Sequence, residues 1–139
     1  MYQVMDWKFY IIVNNNCSYA GVTPDLEKRL KKHNGELTGG AKYTHSRGPN
    51  WSYVCTINGF QSKVNAMRFE WAVKHCAPKS AKGIKNRIKK LFLVLNKERW
   101  TSKSPPAKDI KLEIKWINNM YLPDKYDLPN YVCLNCDSQ

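Results

Sequence analysis

Four side chains in the first half of the sequence form a set that could hydrolyse a phosphodiester bond: Tyr10, Tyr19, Arg29 and Glu70. A carboxylate can hold a divalent metal ion, and a guanidinium can neutralise charge on a transferring phosphate. A phenol whose pKa is lowered by nearby cations can take the proton from an attacking water. Each of these residues alone is more often a packing residue or a solvated surface residue, so the hypothesis depends on their combination.

The elements that would position these residues follow from local patterns. The aromatic and β-branched run Trp7–Val13 predicts a strand, and a turn at 14–16 leads to a second strand over Cys17–Val22. The two tyrosines would then be paired across one hairpin. Thr23-Pro24-Asp25 predicts the start of a helix, with the Thr23 hydroxyl as its cap, Pro at the first helical position and an acid in the first turn. The helix runs to about His33, with Arg29 and His33 on one face.

The pattern continues with a loop over residues 35–50 and a third strand over Trp51–Ile57. Ser62 is predicted to cap a second helix, which carries Glu70 as its only acid and reaches about His75. A third helix is predicted over Ala81–Lys97 and a short strand over Lys111–Ile117. The order β-β-α-β-α-α favours an α+β fold, a small sheet covered by helices.

The charge indicates a polyanionic partner. The 139 residues contain 23 Lys and Arg against 11 Asp and Glu, a net charge of +12, with 19 basic and 6 acidic residues before position 105. Nucleic acid is favoured over an anionic membrane surface, because aromatic residues are interleaved with the basic ones. The alternative is a basic protein with no specific partner.

Other classes are disfavoured by composition. The longest apolar runs are five residues, Phe9–Val13 and Leu91–Leu95, which is too short to span a membrane, and no signal peptide is visible. An odd number of cysteines, five, without disulfide-scaffold spacing favours a reducing, intracellular setting. The length suits one domain.

Ordered motifs across residues 7–77 resemble the GIY-YIG nuclease superfamily. Lys8-Phe9-Tyr10 and Tyr19-Ala20-Gly21 are similar to its paired signature, and the run 25–34 extends the match. Within the superfamily the sequence resembles the Slx-type structure-specific endonuclease, the catalytic subunit that cuts branched DNA. That finer likeness rests on three stretches: 39–49, Asn58-Gly59-Phe60, and 66–72.

The resemblance implies a fold and a role for each matching residue. The implied fold is a three-stranded antiparallel sheet flanked by helices, within a nuclease domain over residues 1–100 that includes the basic third helix. One tyrosine, Tyr10 or Tyr19, would assist deprotonation of water, and Arg29 would be the catalytic arginine. Glu70 would bind Mg²⁺ or Mn²⁺, and His33 would lie near the phosphate. The DNA path would be lined by Lys42, Thr44 and Arg47.

The predicted third helix has an apolar stripe and a basic outer surface. Six basic residues lie between Lys79 and Lys90 with no acid among them. That surface is either solvated or grips a DNA arm through Lys82, Lys85 and Lys89, and we favour the arm. Each neutralised phosphate should contribute about −0.9 to the log–log salt slope on duplex DNA.

Residues 101–139 are predicted as a linker and C-terminal extension. Cys133-x-x-Cys136 resembles the first half of the RING-like zinc domain with which Slx-type nucleases dock a scaffold partner. Because a structural zinc needs four ligands, we expect a truncated domain, free thiols and no structural zinc, which puts scaffold docking in doubt. A monomer is expected, located in the nucleus of a eukaryotic cell or at the nuclear or cytoplasmic replication site of a large DNA virus.

The resulting prediction is a metal-dependent, structure-specific endonuclease that hydrolyses branched DNA, such as flaps, forks and junctions, in repair or recombination. Branched-substrate choice is implied by the resemblance alone. Two alternatives stay open: a non-catalytic DNA- or RNA-binding module of the same fold, and a nuclease with little structure preference.

Overall fold

The computed structural model describes residues 5–136 and has an α+β fold built on one five-stranded sheet. The strands are β1 Lys8–Asn14, β2 Cys17–Thr23, β3 Ser52–Asn58, β4 Leu112–Trp116 and β5 Val132–Cys136. The α-helices are α1 Leu26–His33, α2 Lys42–Ser46, α3 Lys63–Lys74 and α4 Ile84–Leu95, and 3-10 turns cover Ala107–Asp109 and Asn119–Tyr121. The strand order is β2-β1-β3-β4-β5, antiparallel except for the parallel pair β4–β5.

Strand β1 is buried on both faces and separates two cores. Phe9, Ile11 and Val13 pack into the large core with buried residues of α3 and α4. Tyr10 and Ile12 point the other way, into a small cluster with Trp51 against which residues of α1 pack. Successive side chains of a strand alternate between faces, so one strand supplies both a core residue and a site residue at neighbouring positions.

The two predicted helix caps had different outcomes. Ser62 caps α3 as predicted, with its hydroxyl accepting from Asn65 N at 3.1 Å. The prediction that Thr23 caps α1 is wrong, because the cap is Asp25, whose carboxylate accepts from Lys28 N at 3.1 Å. Thr23 instead uses its hydroxyl to accept from Asp25 N and holds the turn before the helix.

The predicted three-stranded antiparallel sheet is present as β2-β1-β3, and two further strands extend it. Strand β4 matches the predicted short strand, and β5 was not predicted. The segment predicted as a linker also packs closely, since Ser104, Ala107 and Ile110 are buried. The division of the chain at residue 100 stays a prediction.

Residues 35–50 contain a helix where only a loop was predicted. The five-residue helix α2 is too short to show a periodic pattern, and tertiary contacts hold it in place. The indole Nε1 of Trp51 donates to Thr44 O at 3.0 Å. The Asn34 side chain accepts from Trp51 N at 2.7 Å and donates to Trp51 O at 3.1 Å. These bonds fix α2 against the end of α1.

The CxxC motif lies in strand β5, with both thiols free and exposed. Residues three apart in an extended strand point to opposite faces, so Cys133 and Cys136 do not converge on a common point. Within residues 5–136, no group of three or more His, Cys, Asp or Glu side chains is placed to hold a metal ion.

A membrane-spanning helix was not expected from the sequence. Over the part of the chain that the structure describes, no helix combines the length and the apolar character needed to cross a bilayer.

Candidate active site

A chain of hydrogen bonds links β1, α1 and α2 on the face opposite the large core. The Tyr10 hydroxyl lies 2.7 Å from His33 Nε2 and accepts from Arg29 Nε at 3.2 Å. His33 Nδ1 lies 2.8 Å from Thr44 Oγ1, and that hydroxyl donates to Ala41 O at 3.0 Å. Three residues predicted to be catalytic therefore meet in one network.

The donor of each bond in this chain follows from the bond that Thr44 makes with Ala41. Because Thr44 gives its proton to Ala41, it accepts from the N–H at His33 Nδ1. His33 Nε2 is then an acceptor and receives the Tyr10 proton. Burial and the nearby Arg29 and Lys74 charges lower the pKa of His33 to about 4, which keeps the ring neutral near pH 7.

Glycine at position 21 is required by the position of the Tyr10 phenol. Gly21 is the cross-strand partner of Tyr10, and a Cβ at Gly21 would collide with the Tyr10 hydroxyl oxygen. Any larger residue would push the phenol away from Arg29 and His33. The resemblance to the YIG motif thus has a direct steric reason here.

The two tyrosines share a face of the sheet but are not cross-strand partners, which corrects the prediction. Tyr10 is opposite Gly21 and Tyr19 is opposite Ile12, so the two phenols are diagonal neighbours. Tyr19 is half-buried, and its ring centroid lies 5.1 Å from that of His33. Tyr10, in contrast, has no exposed surface.

Glu70 reaches this face from α3 and is paired with a lysine. Its Oε1 lies 2.9 Å from Lys74 Nζ, with 23% of the Glu70 side chain and 28% of the Lys74 side chain exposed. Lys74 Nζ also lies 4.6 Å from the centre of the Tyr19 ring. The carboxylate is therefore partly accessible, and its partner Lys74 links it to the Tyr19 ring.

The environment shifts the ionisation of the polar groups in the network. Burial raises the pKa of Tyr10 above its usual value, more than the bond and charge of Arg29 lower it. Burial lowers the pKa of Arg29, but hydrogen bonds and charges of Tyr10 and Tyr19 outweigh it, so that the pKa rises. Arg29 is thus a permanent cation, and Tyr10 is a neutral phenol that orients it.

The lowered pKa of His33 predicts a pH-dependent stability. Above about pH 6.5 the ring is neutral in both folded and unfolded chains. As pH falls toward 4, the unfolded chain takes up a proton that the folded one refuses, so His33 costs about 2 kcal/mol of stability by pH 5. Proton NMR of the His33 ring should show little titration between pH 7 and 5. An ordinary midpoint near 6.5 would contradict the predicted network.

The residues predicted to line a DNA path fall into two groups. Lys42 and Arg47 are exposed at the ends of α2, and the Arg47 guanidinium lies 4.1 Å from the centre of the Tyr43 ring. The Thr44 side chain has no exposed surface and bonds His33, which is inconsistent with a direct DNA contact. Its position indicates a role in orienting His33.

The predicted basic helix is shorter than expected and begins at Ile84. Its apolar stripe is buried as predicted, through Ile84, Ile88, Leu91 and Leu95. Lys82, Lys85 and Lys89 are all exposed, so each is available to an anionic partner.

Lys74 belongs to the site but carried no prediction from the sequence. Lys74 contacts Glu70 and the Tyr19 ring. Its charge also lowers the pKa of His33, although less than burial and the Arg29 charge do. Its spacing of four from Glu70 on a helix was an available signal, because such pairs lie on one helix face.

Comparisons with known proteins match this region. Residues 6–76 fit the family model described as the GIY-YIG catalytic domain. The chain is 39% identical over 106 residues to the "Structure-specific endonuclease subunit SLX1 homolog" of Caenorhabditis briggsae, covering 76% of this chain and 21% of that protein. It is 51% identical over 53 residues to "Structure-specific endonuclease subunit slx1" of Schizosaccharomyces pombe, covering 38% of this chain and 19% of that protein.

The chain spans about a fifth of the length of these curated relatives. The family match covers half of the chain and contains Tyr10, Tyr19, Arg29, His33 and Glu70. On this match, the chain belongs to the GIY-YIG family.

Proposed function

We propose that this protein is a structure-specific endonuclease that hydrolyses phosphodiester bonds in branched DNA with the help of a divalent metal ion. One observation carries the proposal: on a strongly basic protein, Arg29 bonds Tyr10, and the partly exposed carboxylate of Glu70 is paired with the lysine that covers the Tyr19 ring. The relatives' names, which describe structure-specific endonuclease subunits, support the substrate class.

Glu70 is the residue proposed to hold the metal, which would be Mg²⁺ or Mn²⁺. Mg²⁺ keeps several waters and is commonly held by one or two carboxylates plus substrate phosphates. One partly accessible carboxylate fits that mode, whereas no group of three or more such donors lies within residues 5–136 to form a closed, protein-only cage. When bound, such an ion polarises the phosphate and lowers the pKa of bound water. Lys74 bonds only Oε1 of this carboxylate among the described contacts, so Oε2 is the oxygen proposed to face the metal.

Arg29 is proposed to stabilise the negative charge that develops on the phosphate. Its Nε is held by Tyr10 and its Nη1 donates to Gly39 O at 3.1 Å, so the guanidinium is oriented before the substrate arrives. A donor fixed in advance costs little reorganisation during the reaction. Tyr10 and, through it, His33 and Thr44 are proposed as positioning residues for Arg29.

Tyr19 is proposed as the phenol that faces the attacking water. A proton acceptor for water must be reachable by solvent, and Tyr10 has no exposed surface whereas Tyr19 is half-buried. Tyr19 also lies beside Lys74, whose Nζ is 4.6 Å from the centre of the Tyr19 ring.

Cleavage of matched labelled substrates tests the proposal. We expect cutting of a 5′ flap and a four-way junction in Mg²⁺ or Mn²⁺, little cutting of plain duplex of the same length, and none in EDTA. Equal cutting of the duplex would contradict the branch preference and leave a nuclease. No cutting of any substrate, with DNA binding intact, would favour the binding-module alternative or a requirement for a scaffold partner.

Sedimentation at micromolar concentration tests the predicted monomer, and a stable dimer would contradict it.

A further inference from the structure

A basic groove lies between the β1–β2 hairpin and the start of α4. Its volume is about 620 Å³. Five cationic side chains line it: Lys74, Lys79, Lys82, Arg87 and Lys90. None of the described residues that line it is acidic. Because Tyr19 and Lys74 belong both to this groove and to the candidate active site, the groove begins where the proposed reaction takes place.

The buried Lys90 and the half-buried Arg87 have only neutral partners among the described bonds. Lys90 is only 7% exposed, and its Nζ donates to Ala81 O at 2.8 Å. Arg87 Nε donates to Ser18 Oγ at 3.3 Å, and burial lowers the Arg87 pKa. Burying a charge without a counter-ion is costly, so a groove built this way is suited to receive anions.

Aromatic rings form the end of the groove next to the active site. Tyr19 and Tyr43 stack with centroids 6.3 Å apart and an interplanar angle of 22°. Cations cover both ends of the pair, with Arg47 at 4.1 Å from the Tyr43 ring and Lys74 at 4.6 Å from the Tyr19 ring. Aromatic surfaces beside a positively charged groove are the combination that binds single-stranded nucleic acid, since bases stack on rings while cations follow the phosphates.

We propose that this groove holds the backbone of an unpaired nucleic-acid strand that leaves the active site at the branch. The groove takes phosphates through Lys79, Lys82, Arg87 and Lys90, and the Tyr19–Tyr43 pair meets the bases nearest the cut. The inference rests on the proposed function only in placing the scissile phosphate beside Arg29 and Glu70. The proposal assigns a strand contact to Lys82, which lines the groove, and none to Lys85 and Lys89, which lie outside it.

A matched pair of double variants tests the groove. Lys79→Ala with Lys82→Ala removes two exposed charges from it, and Lys85→Ala with Lys89→Ala removes two exposed charges from the same region outside it. Fluorescence anisotropy in EDTA, with a labelled single-stranded oligonucleotide, measures binding without cleavage. We expect the groove variant to bind about tenfold more weakly. The slope of log binding constant against log salt concentration should become shallower by about 1.4, at about 0.7 per phosphate contact on a single strand. The other variant should change affinity less than about threefold.

The outcomes separate this proposal from the proposed function. Equal losses in both double variants would overturn the groove, because they would reflect net charge alone. Unchanged binding by the groove variant, with normal cleavage by the wild type, would overturn the groove and leave the nuclease. Weaker binding by the groove variant alone, together with a wild type that cuts no substrate, would support the groove and count against a nuclease that acts without a partner. Thermal unfolding of both variants checks that neither substitution perturbs the fold.

Discussion

Replacing Arg29 with alanine should lower the rate of DNA cleavage by about a thousandfold while leaving the dissociation constant for branched DNA within a fewfold of wild type. The guanidinium is held by Tyr10 and Gly39 in a fixed orientation, so its contribution should be largest when charge builds up on the phosphate. Single-turnover cleavage with saturating protein measures the rate, and anisotropy in EDTA measures binding.

Lys28→Ala is the matched control for this variant. Lys28 is exposed on the same helix and carries the same charge, so it reports the effect of net charge alone. Arg29→Lys should also be strongly impaired, because a lysine keeps the charge but lacks the planar fork that bonds Tyr10 and a phosphate together. Equal loss of binding and cleavage in Arg29→Ala would mean that the residue acts by electrostatic grip instead.

Replacing Glu70 with glutamine should reduce metal-dependent cleavage by at least a hundredfold, with binding in EDTA unchanged. Glutamine has nearly the same shape but no charge, so it is a poor ligand for Mg²⁺ or Mn²⁺. The loss of the Lys74 ion pair should cost less than about 1 kcal/mol, since both side chains are partly exposed. The rate as a function of metal concentration is the measurement.

Glu27→Gln provides a control with the same i,i+4 spacing to a lysine. Glu27 forms an i,i+4 pair with Lys31 at 3.8 Å on α1, as Glu70 does with Lys74 on α3. The control removes one exposed acid and one helical ion pair but leaves the proposed metal ligand in place. Full metal-dependent activity in Glu70→Gln would exclude Glu70 as the ligand. Equal loss in both variants would point to a general effect of charge.

Much of the site could be predicted because its signals are local. The alternation in β1 sends Phe9 to one core and Tyr10 to the other, and a strand pattern is visible in the residues themselves. Ser62 and the spacing of Arg29 and His33 are likewise readable over a few residues, since helix caps and turns depend on near neighbours.

The remainder was decided by contacts between distant segments. Thr44 was predicted to face DNA, but packing of α2 under Trp51 buries it against His33, which is eleven residues away. Strand β5 exists because it pairs with β4 in parallel, and this pairing places Cys133 and Cys136 on opposite faces. The basic groove depends on Arg87 meeting Ser18 across 69 positions. Periodicity and capping report which residues can be buried or can end a helix, whereas the partner that each buried face meets is determined by how the elements pack.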